Sequence, residues 1–269
     1  MLRMRIGRAA RRPPFRGARV NQTIVQEKAR NWPELKTMNN PEAFPQPIPV
    51  IELDQQSRGR FISRTYNHLF VSITVFTLIE IFLFKTGLAE TMARAMLGVS
   101  WLLVLGGFVV VSWMARGVAH RAESKVAQYA ALAGYVVAQA VIFVPLLYVA
   151  DKYAPGAITS AAAITFVAFT VLTLVVFFTR KDFSFLRGIL MWGGIIAMVL
   201  IVGGAIFGFQ LGTYFSVGMV ALAGAAILYD TSNVLHHYPE DRYVAAALEL
   251  FASVALMLWY VLRLLMSRR

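Results

Sequence analysis

Residues 243–266 read YVAAALELFASVALMLWYVLRLLM, an unbroken apolar run with a single acidic residue, Glu249, and a single basic one, Arg263. Such a stretch exceeds the roughly 20 residues needed to cross a bilayer core. It crosses only as a helix, because unpaired backbone groups are too costly in lipid. Six earlier runs share this character, at about 63–86, 94–115, 126–149, 157–179, 186–208 and 213–235. The loops between them are short. The sequence predicts an all-α integral membrane protein with seven transmembrane helices over residues 61–269. No convincing internal repeat relates the runs, so an inverted-repeat transporter is unsupported.

Composition agrees with this class. Of 269 residues, 58% are hydrophobic and only 15% charged, against roughly 25% charged in a soluble domain. Mean hydropathy is +0.61. Cys is absent, which removes disulfides, thiolate ligands and a Cys nucleophile. The net charge of +12 is uneven, since residues 1–64 hold thirteen of the 26 basic residues and five of the 14 acidic ones. Excess charge in a tail points to anionic lipid headgroups and topology, not to nucleic acid.

Residues 1–60 lack a sustained apolar period and carry prolines at 13, 14, 45, 47 and 49. They read as a basic, mostly disordered cytoplasmic tail. The Arg-rich start has no secretory apolar core, and a mitochondrial transit peptide is disfavoured by its poverty in Ser. With the N-terminus inside, the inner segments hold twenty Lys and Arg against six outside. That bias predicts N-in and C-out, with Ser267-Arg268-Arg269 as a mild dissent. Trp101, Trp113, Tyr148, Phe209, Tyr214, Trp259 and Tyr260 fall near span ends, where interfacial aromatics gather. Gly204, Gly208 and Gly212, and Ala221 and Ala225 with Gly224 between them, have the spacing of close helix packing.

Ionisable residues at membrane depth are the candidate functional groups. Three carboxylates qualify: Glu80, Asp230 and Glu249, and no Lys or Arg reads as deep in a span. Asp230 is expected one or two turns from the cytoplasmic end of span six, and Glu249 about 10 Å into span seven from the same side. Two such carboxylates in low dielectric cannot both ionise cheaply, so they form a candidate pH sensor and gate. Ala245, Glu249 and Ser253 share one helical face, with Ser253 a candidate path-lining residue. Alternative readings are a helix-end Asp230 paired with Arg242 or a histidine, and a Glu249 bonded to a nearby Ser or Thr. Glu80 is expected near the outer surface beside Lys85, or as a cation mouth. His236 and His237 read as exposed loop residues, accessory to the sensor if they titrate with it. Adjacent histidines chelate a metal poorly.

No zincin, nucleophile-elbow or phosphate-loop motif occurs. Tyr229-Asp230 matches half of an intramembrane aspartyl protease signature, and the second half, Gly-x-Gly-Asp, is missing. The protein is expected to be no enzyme and to need no cofactor, beyond transported or weakly bound Ca²⁺.

Three segments carry a resemblance: TRKDFSFLRGILMWGG at 179–194, AILYDTSNVLHHYP at 226–239 and AAALELFASVALMLWYVLRLL at 245–265. Their order, spacing and seven-span setting resemble the Bax inhibitor-1 family, over about residues 60–267. The resemblance implies a seven-helix bundle with the last helix at its centre. It also implies a pH-dependent Ca²⁺ leak in prokaryotic members and a cell-death-suppressing leak role in animal ones. The family's sensor is a pair of aspartates. Asp230 matches the first, and the second falls on Ser253. Glu249, one turn earlier on the same face, is expected to supply the missing carboxylate. The implied location is the bacterial inner membrane, with the mitochondrial inner membrane as the alternative. The rival function is an interaction protein that modulates a membrane-anchored AAA protease, with the basic tail as its handle.

Overall fold

A computed structural model describes residues 48–267, and residues 1–47 of the tail expected over 1–60 lie outside them. The described chain forms eight helices: α1 (Gln55–Lys85), α2 (Leu88–Leu97), α3 (Trp101–Arg121), α4 (Lys125–Tyr153), α5 (Ala157–Thr179), α6 (Leu186–Phe207), α7 (Thr213–His236) and α8 (Tyr243–Met266). All except α2 are long and apolar enough to cross a membrane.

The last helix is the core. In α8, residues such as Val244, Ala245, Leu248, Leu250 and Leu262 are fully buried. It packs most extensively on α7, and also touches α5, α1, α4 and α3. About 72% of its most apolar window is buried, against 11% for α3 and for α6. The apolar side chains of α6 face outward instead, Trp192, Val199 and Phe207 among them. Lipid supplies no hydrophobic drive between helices, so close contact rests on packing and small residues. Gly224 of α7 is one such place: a Cβ there would touch Leu172 of α5 at 3.5 Å and Met257 of α8 at 3.7 Å.

Several expectations are corrected. The second span begins at Trp101, because residues 94–97 belong to α2, which ends at Gly98. This span then continues to Arg121, which makes Arg116 and His120 helical residues and not loop ones. The spacing of Gly204, Gly208 and Gly212 is not one packing stripe. Gly208, at φ 75°, caps the end of α6, and Gly212 precedes the first turn of α7. Left-handed backbone favours glycine at such a cap. Of the expected interfacial aromatics, Trp113 and Tyr214 are exposed and Tyr260 is buried. Trp101 and Trp259 stack on each other with centroids 6.0 Å apart.

Residues 48–60, expected as the end of the tail, are built onto the bundle. A short 3₁₀ turn at Val50–Glu52 leads to Asp54, whose carboxylate accepts from the amides of Gln56 and Ser57 at 3.0 and 3.1 Å. This N-cap satisfies two orphan donors and starts α1. Pro49 bridges to Pro239, and the Val50 amide donates to the Tyr238 carbonyl at 2.9 Å. The Val50 side chain is fully buried.

Candidate functional site

The site lies where α3, α7 and α8 meet, near the bundle end that also holds residues 237–242. Asp230 precedes the end of α7 at His236 by about 9 Å, and Glu249 follows the start of α8 at Tyr243 by a similar rise. The two carboxylates therefore occupy matching depths, as the sequence predicts. Both line one cavity of about 1340 Å³, together with Arg116, His120 and Ser253. The cavity extends along the bundle past Tyr135, Gln139 and Trp259 to Arg263, close to the opposite end.

The α8 face of Ala245, Glu249 and Ser253 points inward: Ala245 is fully buried and Ser253 nearly so. The Ser253 hydroxyl donates to Asp230 Oδ2. Ser253, the position onto which the resemblance places the second aspartate, is thus a neutral donor to Asp230.

Glu249 is bound differently. Its Oε2 lies 2.8 Å from a guanidinium nitrogen of Arg116, and its Oε1 lies 3.0 Å from His120 Nε2. Both partners come from α3, four residues apart on one face. The expectation of a carboxylate pair with no neighbouring cation is overturned. The physical reason is the extra length of α3, which carries these two residues beyond the apolar run and into the bundle. Sequence reasoning missed both because the apolar run ends at residue 115, which left them in the connection that follows it. The available signal was the Arg116-x-x-x-His120 spacing directly after an apolar run.

Tyr238 closes this end. Its ring stacks on His120 at 5.9 Å and on Phe61 at 6.4 Å. Burial, then the charges of Glu249 and Asp230, hold its hydroxyl well above the ordinary tyrosine value. It stays a neutral phenol across the physiological range. The buried backbone of Val50 holds Tyr238 from the other side.

The remaining candidates lie elsewhere. His236 is not an exposed loop residue: it is buried at the end of α7, and its Nδ1–H donates to the Ser232 carbonyl at 2.9 Å. His237 is half-exposed and lies 3.4 Å from Asp182 Oδ2. Asp182 belongs to the Lys181-Asp182-Phe183-Ser184-Phe185 segment, whose Phe183 amide donates to Ser232 Oγ at 2.9 Å. That segment therefore braces the end of α7. Glu80 is buried near the far end of α1, with no hydrogen-bond partner for either oxygen among the described residues. It neither pairs with Lys85 nor reaches the Asp230 cluster. Among the described residues, no group of three or more His, Asp or Glu could hold a metal ion. Both Glu249 oxygens are held by α3, so Glu249 is not free to ligate a cation in this conformation.

Comparison with known proteins agrees with these segments. Residues 58–269 match the family model described as inhibitor of apoptosis-promoting Bax1. Over 100 residues the chain is 37% identical to an uncharacterized protein of Pseudomonas aeruginosa, a stretch covering 36% of this chain and 44% of that protein. The match thus spans less than half of the relative's length. The chain belongs to the Bax inhibitor-1 family.

Proposed function

We propose that this Bax inhibitor-1 family protein is a pH-sensitive cation leak whose cargo is Ca²⁺, closed by a latch between α8 and α3. The observation that carries this reading is the double hold on Glu249 by Arg116 and His120, at one end of a cavity that runs along the bundle. Neutralising Glu249 removes the ion pair that ties Arg116 and His120 of α3 to α8. The α3 end then separates from α8, and the cavity opens at that end. The Asp230 carboxylate, which also lines the cavity, is a hard oxygen ligand suited to passing a divalent cation without trapping it. Ser253, bound to Asp230, lines the path.

The uneven Lys and Arg distribution supports a cytoplasmic N-terminus, and hence a cytoplasmic latch. The Pseudomonas relative supports a bacterial inner-membrane setting.

The test is Ca²⁺ flux into proteoliposomes between about pH 6 and pH 8. The variants are Glu249→Gln, Asp230→Asn, their double mutant and Arg116→Gln. Wild-type flux is expected to change across this range. Glu249→Gln and Arg116→Gln are expected to leak at every pH, and the double mutant to gain nothing over Glu249→Gln. Absence of flux in every folded variant defeats the leak and favours the interaction-protein reading.

A further inference from the structure

A second cavity, of about 420 Å³, lies between α1 and α4, away from the carboxylate cluster. Its walls are apolar: Val71 and Val75 from α1, and Leu132, Ala133 and Val136 from α4. Phe70, Val71, Val75 and Leu78 on this side of α1 are exposed. A span presents such a surface to acyl chains, so the groove opens toward lipid.

One end of the groove is polar and carries positive charge. His68 Nε2 lies 3.1 Å from the Tyr129 hydroxyl, which lies 3.2 Å from that of Tyr243. Two cations converge on the Tyr243 ring: the Lys125 ammonium at 4.6 Å from its centroid and the Arg64 guanidinium at 5.6 Å. No carboxylate forms an ion pair with either cation among the described residues. Lys125 donates to the backbone carbonyl of Asp241, whose side chain pairs instead with Arg242 at 3.1 Å. With no acidic partner for either cation, this end of the groove carries positive charge that an anion would offset. Arg64 is exposed, and its planar fork suits a phosphate.

The dimensions match one ligand class. From Arg64 to Val75 the rise along α1 is about 16 Å. That is close to the depth of one leaflet's hydrocarbon half. We propose that this groove binds an anionic phospholipid, with its phosphate between Arg64 and Lys125 and an acyl chain along Val71, Val75 and Leu132. A soluble phosphate would use the cations but not the apolar wall. The site is separate from the basic tail and does not depend on the leak reading.

The test uses the full chain, purified in detergent, and native mass spectrometry with phosphatidylglycerol and phosphatidylcholine of identical acyl chains. Wild type is expected to retain phosphatidylglycerol preferentially. Arg64→Ala with Lys125→Ala is expected to weaken that retention by about tenfold or more, at roughly 1 kcal/mol for each cation near the membrane surface. Ala133→Trp fills the groove without changing charge, and it is expected to weaken retention as well. Arg187→Ala, a cation at the same bundle end on α6, is expected to retain lipid like wild type. Equal retention of both lipids overturns the site. A preference that survives both the cation pair change and Ala133→Trp assigns the binding to other basic surface, and also overturns it. Displacement of the lipid by inorganic phosphate at comparable concentration makes it a free-phosphate site and refutes the lipid. If the double variant fails to fold, Ala133→Trp alone decides.

Discussion

Removing Arg116 should destabilise the bundle by more than a surface ion pair is worth and by less than a fully buried one. The Glu249 side chain is 15% exposed and that of Arg116 44%. Exposed pairs contribute up to about 1 kcal/mol, while stranding a buried charge costs about 3–5 kcal/mol. Arg116→Ala leaves Glu249 in its pocket with His120 as its remaining ionic partner, so the expected loss is about 2 kcal/mol. Glu249→Gln strands Arg116 instead, but that side chain already reaches solvent, and the expected loss is about 1 kcal/mol. The double variant should lose about 1.5 kcal/mol, which implies a coupling of roughly 1.5 kcal/mol between two contacting groups. The assay is thermal unfolding in one detergent, followed by tryptophan fluorescence. At about 2–4 °C per kcal/mol for a chain of this size, Arg116→Ala should lower Tm by about 4–8 °C. A double variant whose loss equals the sum of the two single losses would refute the pairing. A Tm unchanged in Arg116→Ala would refute it more simply.

Two further outcomes are expected. Val50→Ala removes two methyl groups from a fully buried side chain, at about 2 kcal/mol with the cavity included; the same fluorescence assay should show Tm lower by about 4–8 °C, and no change would mean that the Val50 side chain is not part of the packed core. The Asp182 carboxyl is held below the usual carboxylate range, first by the Ser184 hydroxyl, then by the Ser184 amide and His237, against partial burial. A lowered value means its contribution is full above the ordinary carboxylate pKa and fades as pH falls through the folded value. Asp182→Asn should therefore lower stability near neutrality and flatten the acid side of the profile of Tm against pH, and two parallel profiles would contradict that role.

The seven spans were legible because a bilayer forces long apolar runs and helical backbone, and five of the seven spans fall close to the expected ones at both ends. The central position of the last helix was legible through the family resemblance. What escaped was where hydropathy and helix part company. Polar residues end an apolar run without ending a helix, so α3 kept Arg116, His120 and Arg121 that counted as loop residues. At Gly208 the expected span end holds, and it is the four-residue spacing of Gly204, Gly208 and Gly212 that misled, because it runs across a helix end and a loop instead of along one helix. Asp230 and Glu249 were placed at the right depth by rise per residue alone. Their bonding was not, because a contact between residues 116 and 249 has no local pattern. Burial of His236 likewise depends on the 181–185 segment folding back against Ser232, which helical periodicity does not encode.

The unequal burial of the helices gives the proposed latch its mechanical sense. Glu249 is on α8, the most buried span, which is fixed by five neighbouring helices. Arg116 and His120 are on α3, among the least buried spans, which leans mainly on α4 and meets α8 and α6 only lightly. A charge change on a fixed element displaces its loosely held partner, because repacking α8 would disturb every interface at once. The same two partners on α7 would be a poor device, since α7 packs along much of α8 and a single ion pair would change little. On α3 that pair is one of the few direct ties to α8 near this end, beside the Arg242 guanidinium that donates to the Ala122 carbonyl at 2.7 Å. In the proposed latch, the part of that attachment that can change lies in Glu249 Oε1 and Oε2 with their partners. A shift of one or two kcal/mol there changes the ratio of closed to open states by about five- to thirtyfold.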